Sequence, residues 1–255
     1  MIATFDIGNS NIKIGIFDGD QLLQYARFKT DTRKTSDEYG LLLMNVFNYS
    51  NIDKEKITGA IVSSVVPSIN YTIEHMLRTF LNVKALVIGP GIKTGMDIFY
   101  ENSWQVGADR IVTSVGAKEV YGCPVIVVDF GTATTFNAVD KNGNFIGGAI
   151  MPGIKPSTDA LVESAARLPK IEFIDPGVAI GKSTVENMQS GIINGFSGAV
   201  DNIVSNMKKE MEGDVTVVAT GGMSTLIGPA SKTIDKIDAR LALKGLKILY
   251  QKNTK

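Results

Sequence analysis

The sequence predicts an α/β protein made of two copies of one βββαβαβ layout. Three observations predict it. Two Asp-x-Gly turns, Asp6-Ile7-Gly8 and Asp129-Phe130-Gly131, lie 123 residues apart, and each ends an apolar strand. Each is followed by a Ser/Thr/Asn-rich turn and a hairpin that reverses at an Asp/Gly/Asn cluster. The same order of strand and helix patterns then begins in both halves. The 255 residues suit two domains of about 120. The reading gives an N-terminal domain over 1–116 and a C-terminal domain over 117–255. Two such mixed sheets side by side leave a cleft, a favoured place for a small-molecule site.

In the first half, residues 2–7 read as a strand ending in a Gly-Asn-Ser-Asn turn. In residues 11–17, Ile12, Ile14 and Ile16 alternate with other residues, as a second strand requires. Asp18-Gly19-Asp20 turns the chain into a third strand, 21–29. A helix follows from Ser36, read as its N-cap, to about Tyr49. A strand at 58–66, a helix at 68–82 and a strand at 84–88 complete the half. In the second half, 124–130 is so apolar that burial on both faces is expected. Strands at 135–139 and 145–151 flank the turn Asp140 to Asn144. Helical patterns at 155–167 and 183–211, a strand at 215–220 and a basic amphipathic helix at 238–251 follow.

Composition excludes several classes. Lys plus Arg equals Asp plus Glu, so no basic excess argues for nucleic acid or an anionic membrane. No apolar run approaches the roughly 18 residues of a membrane span. Met1 leads straight into a strand, so the reading has no leader and a cytoplasmic protein. The single cysteine, Cys123, excludes an intramolecular disulfide and a Cys-rich metal site, and reads as a structural thiol.

The chemistry concentrates at the turns. A strand-end carboxylate can hold a cation or its hydration water, and the adjacent glycine lets backbone approach phosphate oxygens. Successive backbone N–H groups with Ser, Thr and Asn side chains cradle an anion. Two such hairpins would bracket a triphosphate and its Mg²⁺, an ion that needs only one or two protein carboxylates. Gly107-Ala108-Asp109-Arg110 precedes the helical pattern Ile111 to Lys118. It places Asp109 at a cleft edge, either as a dipole-balancing acid or as a general base beside an anion-binding Arg. Gly147-Gly148-Ala149-Ile150-Met151-Pro152-Gly153 and Thr220-Gly221-Gly222 are further turns where backbone can near a ligand.

Other features carry less. Gly181-Lys182-Ser183-Thr184 looks like the tail of a P-loop, but Pro176 stands where that pattern needs Gly. Gly89 to Gly95 misses the dinucleotide-binding spacing by one residue. His75, the only histidine, sits on a helix face with nothing to build a triad. Trp104 reads as core or pocket wall.

At Asp6-Ile7-Gly8-Asn9-Ser10-Asn11, Gly107 to Arg110, Asp129-Phe130-Gly131-Thr132-Ala133-Thr134, Gly147 to Gly153 and Thr220-Gly221-Gly222, the chain resembles the type III pantothenate kinases. These belong with acetate and sugar kinases, Hsp70 and actin. The resemblance implies duplicated actin-like, ribonuclease H-like domains, and ATP-dependent phosphorylation of pantothenate at the start of coenzyme A synthesis. It implies an ATP phosphate loop of Asp6, Ile7, Gly8, Asn9, Ser10, Asn11, Ile12 and Lys13, with Thr132 also on ATP. Asp109 is implied as proton acceptor. Gly107, Ala108 and Arg110 would shape the pantothenate pocket with Tyr100. Asp129 would bind a monovalent cation, K⁺ or NH₄⁺, and Mg²⁺ would come with ATP. Thr184 would reach the acceptor site of the partner in a homodimer. Ser103 stands where the family usually has proline, and Ser10 where threonine is commoner. Two alternatives stay open: a kinase or ATPase of the same fold on another small substrate, and a non-enzymatic accessory factor for gene expression.

Overall fold

Each repeat folds into a five-stranded mixed sheet with the same spatial order, third, second, first, fourth, fifth. These are features of a computed structural model that describes residues 1–254. The chain forms two compact units. One comprises Met1–Gly95, Trp104–Gly116 and the residues from Ala242 onward; the other comprises Met96–Ser103 and Ala117–Leu241.

In the first unit, β1 (Ile2–Ile7), β2 (Asn11–Asp18) and β3 (Gln21–Lys29) run antiparallel. Strands β4 (Gly59–Ser64) and β5 (Ala85–Val87) lie parallel to β1. The period of two sends Ala3, Phe5, Ile7, Ile12, Ile14 and Ile16 into one core. Helix α1 (Ser36–Tyr49) covers that core with Tyr39, Leu43 and Phe47, a stripe spaced by four. Burying each such side chain contributes about 1.5–3 kcal/mol, so the stripe holds α1 against the sheet. The N-cap is Thr35, not Ser36. The Thr35 hydroxyl accepts from Glu38 N at 3.2 Å, and Glu38 accepts from Thr35 N at 2.8 Å. Three residues after Thr35 stands a carboxylate; three after Ser36 stands Tyr39, which cannot close a capping box. Gly40 lets α2 (Asn70–Leu81) pack closely, because a Cβ there would lie 2.2 Å from the Phe80 ring.

Helix α3 (Ala108–Tyr121) begins three residues before the expected Ile111, so Asp109 lies in its first turn. The closing helix, numbered α7 in chain order (Leu241–Asn253), packs in the first unit. A Cβ on Gly245 would lie 2.1 Å from Val112 O, so its backbone touches that of α3. Lys247, almost buried, pairs with the exposed Asp20 of the first hairpin.

In the second unit, β6 (Val125–Phe130), β7 (Ala133–Val139) and β8 (Phe145–Pro152) repeat the antiparallel meander. Val125 to Val128 are fully buried, as their unbroken apolar run requires. Asp140 fastens the hairpin by accepting from Asn142 N and Asn144 N, and Gly143 takes φ +81°. Two helices, α4 (Ile154–Ser164) and α5 (Thr184–Glu210), then stand where the first unit has one. Strand β9 (Thr216–Gly221) lies parallel to β6, and β10 (Lys236–Ile237) to β9, with the short α6 (Ser224–Ile227) between them in sequence. Gly181 to Thr184 is a helix start: Ser183 accepts from Glu186 N, and Glu186 accepts from Lys182 N. Among the described residues no helix is long and apolar enough to cross a membrane.

Candidate active site

The first turn is set by register. Ile7 pairs with Ile12, which leaves Gly8 to Asn11 as a four-residue loop. Gly8 N donates to Asn11 O at 3.0 Å, and Asn9 and Ser10 are exposed. Asp6 faces Lys13 across the two strands, and cross-strand partners share a face. The Lys13 ammonium lies 3.1 Å from the Asp6 carboxylate, which is only 6% exposed as a residue. Ile7 and Ile12 send their side chains into the core, so only their backbone can meet a ligand. At the far end of β3, Thr30 donates its hydroxyl to Gly8 O at 2.6 Å and its N–H to Ser10 O at 3.1 Å.

Asp109 is held by its own helix start. Its Oδ1 accepts from Arg110 N at 2.8 Å. A Cβ on Gly107 would lie 2.5 Å from that oxygen, so the glycine makes room for the carboxylate. Burial pushes the Asp109 carboxyl above the usual carboxylate range. The Arg110 N–H opposes this, the Asp6 charge adds to it, and the Arg110 and Lys13 charges oppose it. A helix N-terminus alone would lower an acid; here desolvation outweighs it. The charges of Asp6 and Lys13 thus reach Asp109, although the sequence separates it widely from both. A carboxylate tuned upward in this way suits proton acceptance near neutral pH. Arg110 is buried, and Gly107 and Ala108 are half-buried.

The second turn is one residue shorter. Phe130 pairs with Thr134, leaving Gly131, Thr132 and Ala133. Gly131 N donates to Ala133 O at 3.1 Å, and Gly153 N donates to Thr132 O at 3.2 Å. A Cβ on Gly153 would lie 2.3 Å from Thr132 O. Asp129 faces Thr135 on β7 and Thr220 on β9, neither of them charged. Gly221 takes φ +92°, and a Cβ there would lie 2.4 Å from Asp129 Oδ1. The carboxylate therefore rests against bare backbone, a cradle that any side chain would fill.

Tyr100 and Thr184 also lie in the second unit. Tyr100 stacks at a tilt on Phe145, centroids 6.3 Å apart, and is partly exposed. Thr184 opens α5 and is exposed. Trp104 is 74% exposed, which excludes a core role. His75 contacts Ser36 of α1 on the surface. Sequence reading missed Thr30. Counting back from the hairpin pair Asp18 and Gln21 would set Thr30 opposite Asn9, but an irregularity between Ile16 and Phe17 shifts the register by one residue.

The doubled sheet order and the carboxylate-and-glycine turns define an actin-like α/β fold of the kind used by sugar kinases and related ATPases. The family model described as type III pantothenate kinase matches residues 2–206, and the chain belongs to that family. Solved structures share the fold. One, described as a Baf-family transcriptional activator from Campylobacter jejuni, is 18% identical, with TM-score 0.62 over 99% of this chain and 98% of that one. Another, described as a 2-dehydro-3-deoxygalactonokinase from Sinorhizobium meliloti, is 14% identical, with TM-score 0.61 over 98% and 96%. Component A of (R)-2-hydroxyglutaryl-CoA dehydratase from Acidaminococcus fermentans is 15% identical, with TM-score 0.53 over the full length of both chains.

Proposed function

We propose that this kinase-family protein transfers the γ-phosphoryl group of ATP to the hydroxyl of pantothenate, giving ADP and 4′-phosphopantothenate. The observation that carries the reading is Asp109. It is a carboxylate raised by burial, aligned by the Arg110 N–H, in the electrostatic reach of the Asp6–Lys13 pair beside the first turn. Phosphoryl transfer asks a protein mainly for positioning and charge neutralisation. The turn from Asp6 to Lys13 takes ATP phosphate through backbone N–H groups and the Lys13 ammonium. Thr132 takes phosphate from the second turn. Asp109 accepts the hydroxyl proton as the oxygen attacks. Arg110, Gly107, Ala108 and Tyr100 orient pantothenate. Membership of the family supports this acceptor.

Asp129 suits a monovalent cation, K⁺ or NH₄⁺, because its carboxylate is cradled by Gly221 backbone and faced by uncharged Thr135 and Thr220. When bound, that ion would supply positive charge for phosphoryl transfer, and Mg²⁺ would come with ATP. The same reading makes the enzyme a cytoplasmic homodimer in which Thr184 reaches the partner's acceptor site.

A coupled ADP-release assay across pantothenate, sugars and acetate, with K⁺ exchanged for Na⁺, tests this. Release is expected only with pantothenate and to rise with K⁺, and Asp129→Asn should flatten the K⁺ response. Release driven by a sugar or acetate instead would replace the acceptor. A K⁺ response intact in Asp129→Asn would remove the cation site.

A further inference from the structure

The four-residue loop Gly8 to Asn11 carries a glycine and three small polar side chains, and two of its residues are exposed. Left to itself such a loop would sample several peptide orientations. Its carbonyls are not left to themselves. Thr30 holds Gly8 O through its hydroxyl and Ser10 O through its N–H. The peptide bonds here are trans, so a carbonyl and the following N–H point in opposite directions. Fixing Gly8 O toward Thr30 turns Asn9 N–H away from it. Fixing Ser10 O turns Asn11 N–H away likewise. Two peptides of the turn, Gly8–Asn9 and Ser10–Asn11, are thereby fixed in orientation, and fixed backbone N–H groups of this kind are what a turn offers an anion.

Thr30 is itself anchored. The next residue, Asp31, has both backbone groups on one buried hydroxyl: Tyr39 OH accepts from Asp31 N at 3.0 Å and donates to Asp31 O at 2.9 Å. Tyr39 is 1% exposed, in the stripe by which α1 grips the sheet. A rigid core position is thus linked through one peptide to the phosphate turn.

We infer that Thr30 is a positioning residue that presets the N–H groups of the Gly8–Asn11 turn for ATP phosphate, with Tyr39 as its anchor. This rests on the reading of that turn as the phosphate site. Its sign is specific: nucleotide affinity and turnover depend on the hydroxyl, while acceptor affinity does not.

Thr30→Val keeps the shape and removes the donor; Thr30→Ser keeps the donor. MgADP binding by calorimetry reports the turn without any acceptor, and thermal unfolding reports the fold. Thr30→Val should bind MgADP about 10-fold more weakly, the scale of one lost hydrogen bond near 1.4 kcal/mol. Its KM for ATP should rise with KM for pantothenate unchanged, and Thr30→Ser should restore both. Tyr39→Phe should weaken MgADP in the same direction and by less. Combined with Thr30→Val it should add less than its separate effect. If Thr30→Val fails to fold, Thr30→Ser against Tyr39→Phe carries the comparison. Wild-type MgADP affinity in the folded Thr30→Val, or lost affinity in Thr30→Ser, would overturn the inference. Unchanged MgADP affinity in Tyr39→Phe would overturn the anchor. A wild-type protein that binds no MgADP would instead overturn the reading of the turn on which the inference stands.

Discussion

The two Asp-x-Gly turns occupy the same place in two sheets of the same order, yet they are fastened by opposite means. Thr30 and Gly153 each follow the third strand of their repeat, and each sends its N–H to the residue before the second strand's first pair, Ser10 O and Thr132 O. At Thr30 a side-chain hydroxyl adds a second bond to Gly8 O. At Gly153 there is no room for a side chain at all. The carboxylates differ in the same manner. Asp6 has the Lys13 ammonium across the sheet, whereas Asp129 has Thr135. A duplicated frame has thus kept its backbone hydrogen bonds and divided its charges. The first turn sets an ammonium across from its carboxylate, and the second sets a threonine at the matching place.

That comparison can be broken first at Gly153. Gly153→Ala forces a methyl against Thr132 O and should cost about 1–3 kcal/mol, the usual range for overpacking. Thermal unfolding should show the loss and turnover should fall with it. A Gly153→Ala protein as stable as wild type would show that close backbone contact does not fasten the second turn.

A smaller effect is expected from Lys13→Met. Removing the ammonium that faces the buried Asp6 should cost about 1–2 kcal/mol. It should also move a pH profile. Lys13 lowers the Asp109 carboxyl, against burial and Asp6, which raise it. Without Lys13 the carboxyl rises further. In the proposed mechanism Asp109 works deprotonated, so activity should be lost as pH falls through that pKa, and the acid limb of kcat should shift to higher pH. An unmoved limb would separate Lys13 from Asp109.

The smallest effect is expected at Cys123, which lies outside both turns. Burial raises its thiol, so the reactive thiolate is scarce. Cys123→Ala should change stability and turnover by no more than about 0.5 kcal/mol, and thiol reagents should label the wild type slowly. Rapid labelling with loss of activity would contradict this.

Much of this was legible in the sequence because it follows from local rules. Alternation in Ile12, Ile14 and Ile16 and the apolar run Val125 to Val128 fixed strands before any contact was known. Asp6, Asp109 and Asp129 stood out because each adjoins or closely neighbours a glycine at an element boundary. What escaped is partly local and partly long-range. The Thr35 cap needed Glu38 to be weighed against Tyr39 as its third neighbour. Thr30 was hidden by an irregularity in the strand pairing. Trp104 reads as core or pocket wall; it lies in a short 3₁₀ turn that leaves it exposed, which removes the first of these. The packing of α7 in the first unit rests on Gly245 meeting Val112 O, a contact that no local pattern announces.

In the proposed chemistry Asp109 accepts the proton of a pantothenate hydroxyl while ATP sits on the first turn. Mass analysis of pantothenate after incubation with the protein, MgATP and K⁺ tests it most directly. A gain of one phosphoryl group is expected with the wild type, and with Asp109→Asn a rate lower by about 10²–10⁴ at undiminished MgADP binding. No phosphorylated pantothenate from a wild type that binds nucleotide, or near-normal product from Asp109→Asn, would contradict it.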